Sequence, residues 1–190
     1  MNLSEIIKNR RSIYPKQMSG EIIPDSEIIE MLESANWAPT HKFTEPWRFK
    51  IFKEESKNKL VDFHKSMFIS KNPGIEPDDK RLEKFEETKL KVSHIIAIVM
   101  KKEPIAQLPE MEEIAATAMA VQNLWLECSA RGFGGYWSTG NGTFDPKMAL
   151  FLNLGENETL MGYFYLGKPI PTLVGPGRRK PLSDKITWMD

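Results

Sequence analysis

Residues 94–100, HIIAIVM, decide the fold class of this chain. The run is continuously apolar and rich in β-branched side chains, a pattern typical of a strand that is buried on both faces. The apolar stretch 95–100 is also far too short to cross a bilayer as a helix. The segment therefore predicts a buried strand inside a folded domain.

Helices and strands alternate irregularly on both sides of this strand. Apolar residues at helical spacing predict helices over 3–11, from Asp25 to before Pro39, over 54–69, 79–91 and 110–131, and from Asp145 to about 153. Shorter runs predict strands over 47–51, 134–137 and 160–166. Asp25 and Asp145 are the predicted N-caps, and Pro77–Asp78 marks a surface turn. This order, without a repeat or a linker, predicts an α+β fold with a central sheet in one domain over 1–190.

The longest predicted helix, 110–131, ends at Gly132, which occupies the position of a left-handed cap. Along one side of this helix lie Met111, Ile114, Ala115, Ala118, Met119, Gln122 and Trp125. The small residues among them allow close packing. Cys128 lies on the same helix, and we expect it to be a small core residue rather than a nucleophile.

Composition excludes several classes of protein. The 190 residues include 26 basic and 26 acidic side chains, so no net charge draws the chain to nucleic acid or to a membrane. A single cysteine excludes an internal disulfide, and three histidines far apart in sequence predict no metal site. The first residues, MNLSEIIKNRRS, carry charge where a signal peptide needs an apolar stretch. We therefore expect a cytoplasmic protein.

Two basic clusters are candidate anion sites. Arg10-Arg11-Ser12 follows the first helix, and its guanidinium and hydroxyl groups suit a phosphate. A solvated basic helix end is the alternative interpretation, and it is the more common one for such a short motif. Arg178-Arg179-Lys180 belongs to a tail, 168–190, that is rich in proline. Alone this triplet is a solvated charge run, and it becomes a candidate only if the tail returns to Arg10-Arg11. The tail also carries apolar side chains, which predict that it packs on another surface such as a second subunit.

Two loops are further candidates for ligand contact. Ala38–Lys42 offers a hydroxyl, an imidazole and an amine in a row, although a polar loop with an exposed histidine is the plainer interpretation. The glycine-rich stretch 132–140 permits close approach of a flat or phosphorylated ligand, or is simply a turn between helix and strand. It is not a dinucleotide fingerprint, because Trp137 stands where the third glycine belongs.

In their order along the chain, these segments resemble the nitroreductase family. The matching segments are Arg10-Arg11-Ser12 after the first helix, Ala38-Pro39-Thr40-His41-Lys42 followed by Glu45-Pro46-Trp47-Arg48-Phe49, Gly132–Trp137 after the long helix, Tyr165–Pro169 and Arg179–Leu182. Each motif is weak alone, whereas five in the right order are fairly specific. Three positions depart from the family's pattern. Tyr14 stands where many members have a basic residue, Phe43 replaces a common Asn, and Glu45 replaces the usual Gln.

The resemblance implies a central, mostly antiparallel sheet flanked by helices, with a C-terminal tail that extends to the partner subunit of a homodimer. It also implies FMN at the subunit interface. Arg10 and Ser12 would contact the phosphate and ribityl groups, with Arg11 beside them and Arg179 added from the tail.

The remaining cofactor contacts implied by the resemblance come from both subunits. Trp37, Pro39, Thr40 and His41 would reach the site from the partner. Trp137, Ser138 and Thr139 would pass the isoalloxazine ring, with a backbone N–H near its N5 atom, and 127–132 would lie near the pyridine nucleotide.

The activity implied is a two-step electron transfer. NADH or NADPH reduces FMN, and a small acceptor such as a nitroaromatic or a quinone then takes the electrons. The cofactor carries this chemistry, so no catalytic side chain is required. A non-catalytic flavin- or nucleotide-binding protein is the alternative. The segment 55–90 has no clear motif, and we expect it to shape the mouth of the active site.

Overall fold

The computed structural model describes residues 2–76, 79–140 and 142–189, so the turn predicted at Pro77–Asp78 lies outside the described residues. The helices are α1 (Leu3–Asn9), α2 (Asp25–Asn36), α3 (Glu54–Lys71), α4 (Lys80–Lys91), α5 (Glu110–Ala130) and α6 (Pro146–Phe151). The strands are β1 (Trp47–Lys53), β2 (His94–Lys101), β3 (Gly134–Ser138) and β4 (Glu158–Gly167). Each predicted helix and strand is present within a few residues of its predicted bounds.

The four strands form one antiparallel sheet in the order β1-β2-β4-β3. β2 lies in the middle and is buried from His94 to Met100, as its continuous apolar run predicts. Its neighbours are fixed in register by pairs such as Ile96 with Ile51 and Ile96 with Phe164. The α+β fold class and the antiparallel sheet are therefore confirmed.

Helices cover both faces of the sheet, and successive residues of β2 alternate between the two layers. Ile95 and Val99 pack into a core with α3 and α4, whereas Ile96 and Ile98 pack into a second core with α2 and α5. Burial on both faces removes nearly all of the apolar surface of β2 from water. Each such side chain contributes about 1.5–3 kcal/mol to folding.

α5 turns a different face to the sheet from the stripe that stands out in its sequence. The buried face consists of Glu113, Ala116, Thr117, Ala120, Val121, Leu124 and Cys128. Most of these side chains are small, so the helix lies close to the strands, and the Thr117 hydroxyl is satisfied by the carbonyl of Glu113 at 2.9 Å. On the predicted stripe, Met111 is 72% exposed and Met119 is 41% exposed. Gly132 has φ +78°, which confirms the left-handed cap.

One predicted helix cap is confirmed and the other is wrong. Asp145 accepts a hydrogen bond from the N–H of Lys147 at 3.0 Å and caps α6. Asp25 is instead the first residue of α2, after Pro24 at the cap position. Its carboxylate pairs with Lys53 at the end of β1, which draws the side chain away from the helix's own N–H groups.

The N-terminal segment runs along the β3 edge of the sheet, and the start of the C-terminal tail pairs with this segment. Ser12 forms a parallel bridge with Gly135, and the Ile13 N–H donates to the Gly135 carbonyl at 3.0 Å. Met18 forms an antiparallel bridge with Pro169, where the tail begins. The tail contains only short 3-10 turns at Pro171–Leu173 and Leu182–Lys185. Among the described residues, no helix is long and apolar enough to cross a membrane.

Candidate functional site

Arg10 lies between the end of α1 and the face of α5. Its N–H donates to the Ile6 carbonyl and closes α1, and its φ and ψ of −57° and 129° then turn the chain into an extended conformation. This turn places the guanidinium 4.2 Å from the centre of the Trp125 ring, a cation–π contact. The geometry fixes one positive charge over the C-terminal half of α5.

The C-terminal tail returns to Arg11. Nη1 of Arg11 donates to the carbonyls of Lys8 and Arg10 at 2.7 and 2.9 Å, which orients the guanidinium. A Cβ atom at Gly177 would overlap this guanidinium, so the tail passes directly beside Arg11. The tail therefore returns to Arg10-Arg11. This return is the condition under which the basic residues of the tail become candidates for the same anion site.

Three positive charges converge here. Burial lowers the pKa of Arg10, and the nearby charges of Arg179 and Arg11 lower it further. Nη1 of Arg10 and Nε of Arg11 are buried, and neither has a hydrogen-bond partner in the described part of the chain. Unpaired buried donors are costly, and a phosphate supplies the oxygens and the negative charge that would satisfy them. We call Arg10, Arg11 and Arg179 the arginine cluster.

β3 carries the other residues predicted to contact the cofactor. Trp137 donates its indole N–H to the Met161 carbonyl at 2.9 Å, and Ser138 Oγ accepts the Gly140 N–H at 3.3 Å. Thr139 follows directly after the strand. Because Gly135 bonds to the segment 11–13, alternation along β3 directs the backbone N–H of Trp137 to the same outer edge. The structure therefore brings 10–12 and 137–139 to one edge of the sheet.

The loop 37–41 does not reach this edge within the chain. His41 Nδ1 bonds Glu112 Oε2 at 2.6 Å, beside the start of α5, whereas Arg10 lies over Trp125 near its end. At 1.5 Å per residue these positions are about 20 Å apart along the helix axis. Thr40 Oγ1 accepts the Glu45 N–H at 3.1 Å and stabilises the loop after Pro39. Trp37 is 80% exposed.

A cavity of about 530 Å³ adjoins the same edge of the sheet, and no individual sequence motif indicated it. Three tyrosines form one wall. Tyr136 stacks on Tyr165 with ring centres 5.0 Å apart, and Tyr14 is tilted by 51° against Tyr136 with ring centres 4.9 Å apart. Phe68 and Phe85 contribute from α3 and α4. Burial raises the pKa of Tyr136. In the sequence, the α4 wall could have been recognised from the helical spacing of its members Arg81, Lys84, Phe85 and Thr88.

The described residues give little support to nucleophilic catalysis or to metal binding. Cys128 is fully buried, and burial raises the pKa of its thiol, which keeps it unreactive. Burial lowers the pKa of His64 to about 4, so this histidine is neutral in the core. Within residues 2–76, 79–140 and 142–189, no group of His, Cys, Asp and Glu side chains could hold a metal ion.

The chain is similar in sequence to known proteins. Residues 7–168 match the sequence profile of the nitroreductase family. YfhC of Bacillus subtilis, which carries the provisional name NAD(P)H nitroreductase, is 30% identical over 98% of this chain and 94% of its own.

Two solved structures show the same fold. A nitroreductase-like family protein from Bacillus cereus superposes with a TM-score of 0.84 at 26% identity, covering 100% of this chain and 97% of that one. The FMN-dependent nitroreductase NfnB of Mycobacterium smegmatis, solved in complex with NADPH, gives a TM-score of 0.76 at 15% identity, with 98% and 97% covered.

Proposed function

The chain belongs to the nitroreductase family, and on that premise we propose that it is an FMN-dependent oxidoreductase that uses NADH or NADPH. Its acceptors are small molecules such as nitroaromatics or quinones. YfhC is named for NAD(P)H and nitroreductase activity, and NfnB of Mycobacterium smegmatis is named as FMN-dependent and was solved with NADPH. Both support this assignment.

The arginine cluster is the observation that carries the proposal. Arg10 Nη1 and Arg11 Nε are buried donors without partners in the described residues, and the charge of Arg179 acts on Arg10. A phosphomonoester fits these donors because it presents several acceptor oxygens and a negative charge. In the proposed complex the cluster binds the FMN phosphate, and Ser12, next along the edge, contacts the ribityl chain.

Further along the same edge, Trp137, Ser138 and Thr139 orient the ring of the cofactor. When bound, FMN accepts a hydride from NAD(P)H and returns electrons to the acceptor. Trp137 is anchored through its indole N–H to Met161. Its backbone N–H is directed to the outer edge of the sheet, where it would donate a hydrogen bond to the ring of the cofactor. Each of these residues binds or orients, and none acts as a general acid or base.

A second subunit completes the site in this proposal. The loop Trp37–His41 and the arginine cluster lie at opposite ends of α5, and the outward face of α5 exposes Met111, Ala115 and Met119. If two copies of α5 pack antiparallel through this face, the loop of each chain approaches the arginine cluster of the other. The homodimer thus accounts for both the exposed apolar face and the divided site.

Titration of the apoprotein with FMN tests the phosphate site. We expect Arg10→Ala and Arg179→Ala to weaken FMN binding about 10- to 100-fold, because each removes a charge-assisted contact worth about 1.5–3 kcal/mol. Arg178→Ala is the matched control, because, of these two adjacent tail arginines, it is Arg179 whose charge acts on Arg10. Unchanged affinity in both test variants would place the phosphate elsewhere.

A second experiment tests the redox activity. The purified protein loaded with FMN should be yellow, and NADH or NADPH should bleach it under anaerobic conditions. Steady-state rates with a quinone should give parallel double-reciprocal lines, as expected when the reductant leaves before the acceptor binds. A yellow protein that neither nucleotide bleaches would favour the alternative, a non-catalytic flavin-binding protein.

A further inference from the structure

The cavity beside Tyr14 has the size and lining of a site for a flat ring. Its volume of about 530 Å³ is within the usual range for small-molecule pockets. The rings of Tyr14, Tyr136 and Tyr165 form one wall, with Tyr136 stacked on Tyr165 and Tyr14 tilted against Tyr136, and Phe68 packs against Phe85 with ring centres 5.7 Å apart. Aromatic walls favour a planar aromatic ligand, which stacks in offset or edge-on geometry.

The charged groups around this cavity are mostly positive. Lys16, Arg81 and Lys84 line it, against one acidic residue, Glu87. Arg81 is already neutralised by Asp79, which accepts hydrogen bonds from its Nε and Nη2 at 2.7–3.1 Å. Lys16 and Lys84 have no ion-pair partner within the described ranges. Two lysine charges therefore remain available to a ligand.

The cavity and the proposed flavin site share an edge of the sheet. Ser12 pairs with Gly135 of β3. Tyr14, two residues after Ser12, and Tyr136, the residue after Gly135, form part of the cavity wall. A ligand in the cavity would thus lie close to the residues that we assign to the flavin ring.

We propose that this cavity selects electron acceptors that combine a flat aromatic ring bearing a reducible group with a negative charge, such as nitroaromatic carboxylates. The ring lies among the tyrosines and phenylalanines, and the carboxylate lies at the rim near Lys16 and Lys84. This inference rests on the proposed function, because it names the acceptor class of the same flavin site.

The test compares two nearly isosteric ligands on the oxidised, FMN-loaded protein. Binding of 4-nitrobenzoate and of neutral 4-nitrobenzamide is measured by calorimetry and by the change in flavin absorbance. We expect 4-nitrobenzoate to bind about tenfold more tightly at low salt, since two exposed ion pairs at about 0.5–1 kcal/mol each give a factor of this order. High salt should narrow the difference by screening the lysines.

Three variants make the test specific. Lys84→Gln should weaken 4-nitrobenzoate about threefold and leave 4-nitrobenzamide unchanged. Glu87→Gln should tighten 4-nitrobenzoate, an effect that a damaged fold would not produce. Lys59→Gln is the matched control, because Lys59 is an exposed lysine of α3 that does not line the cavity.

The outcomes separate this inference from the proposed function. Equal affinities for 4-nitrobenzoate and 4-nitrobenzamide would overturn the charge selection. Equal losses of affinity for these two ligands in Lys84→Gln would also overturn it. Displacement of FMN by 4-nitrobenzoate would overturn it as well, because the cavity would then be the flavin's own pocket. Failure to bind FMN or to be bleached by NAD(P)H would refute the proposed function, while calorimetry on the same protein would still decide the charge preference.

Discussion

At the scale of single residues, Gly162 determines how β4 meets the end of β3. Its φ is +132°, a conformation that residues with a Cβ rarely adopt. An added Cβ would lie 2.6 Å from the Ser138 carbonyl oxygen and would overlap the indole of Trp137. The glycine therefore allows Trp137 to donate its N–H to Met161, the contact that anchors the strand predicted to pass the flavin ring.

We expect Gly162→Ala to destabilise the protein by about 3 kcal/mol, from backbone strain of about 1–3 kcal/mol and from displacement of Trp137. Urea unfolding of the apoprotein measures the change in the free energy of unfolding. Gly155→Ala is the control, since the nearest atom to its Cβ is 4.0 Å away, and it should change stability by less than about 0.5 kcal/mol. Similar losses in the two variants would contradict this account.

Residue type alone indicated part of the site and missed the rest. Arginine at 10 and 11 suggested a phosphate because guanidinium groups bind it well, but a solvated helix end has the same composition. Only the fold shows that Arg10 is covered by Trp125 and that the tail brings Arg179 close. The cavity could not be predicted from the sequence, because its walls come from α3, α4, β3, β4 and the turn at Tyr14, which are far apart along the chain.

At the scale of elements, α3 is attached to the sheet through a buried histidine. His64 is 1% exposed, and its ring meets Tyr163 of β4 edge-on at 4.8 Å. Its Nε2 atom and the Tyr163 hydroxyl are buried, and no partner for either lies in the described part of the chain. Burial therefore favours the neutral imidazole and lowers its pKa to about 4.

Stability should fall in acid because of this histidine. The unfolded chain takes up the proton near pH 6.5 and the folded chain only near pH 4, so stability is lost as the pH falls between these values. We expect the free energy of unfolding to drop about 1 kcal/mol more per pH unit between pH 6 and 5 in the wild type than in His64→Gln. Identical slopes would refute this prediction. The slope that remains in the variant reflects other groups, among them His94, whose pKa burial also lowers.

The elements themselves were largely predictable, whereas the orientation of α5 was not. Periodicity located the helix because its apolar and small residues recur at helical spacing. Both of its faces carry such residues, so periodicity could not decide which one meets the sheet. The face with Ala120 and Leu124 is buried, and the face with Met111 and Met119 is exposed. Similarly, aspartate is a residue type that often caps helices, but the carboxylate of Asp25 forms an ion pair with Lys53 of β1.

At the scale of the whole molecule, the exposed face of α5 should control both assembly and cofactor binding. We expect Met119→Arg to convert a dimer into a monomer in analytical ultracentrifugation, because two buried arginines would face each other across the interface. FMN affinity should fall at least about tenfold in the same variant, since the loop Trp37–His41 of the partner would be lost.

The control for this experiment is a charge placed on another exposed apolar residue. Leu90 lies on α4 and is 75% exposed, so Leu90→Arg should leave mass and FMN affinity unchanged. A Met119→Arg protein that remains dimeric with full FMN affinity would exclude this face as the interface.

The length of α5 has a consequence for which sequence changes the protein can tolerate. The helix contacts His41 through Glu112 near its start and Arg10 through Trp125 near its end. The number of residues between Glu112 and Trp125 fixes the distance and the angle between these two contacts. One inserted residue would advance the far end by 1.5 Å and rotate it by about 100°. Arg10 would then lose the face of Trp125, and the exposed stripe would no longer be continuous. Insertions and deletions between 112 and 125 should therefore be excluded.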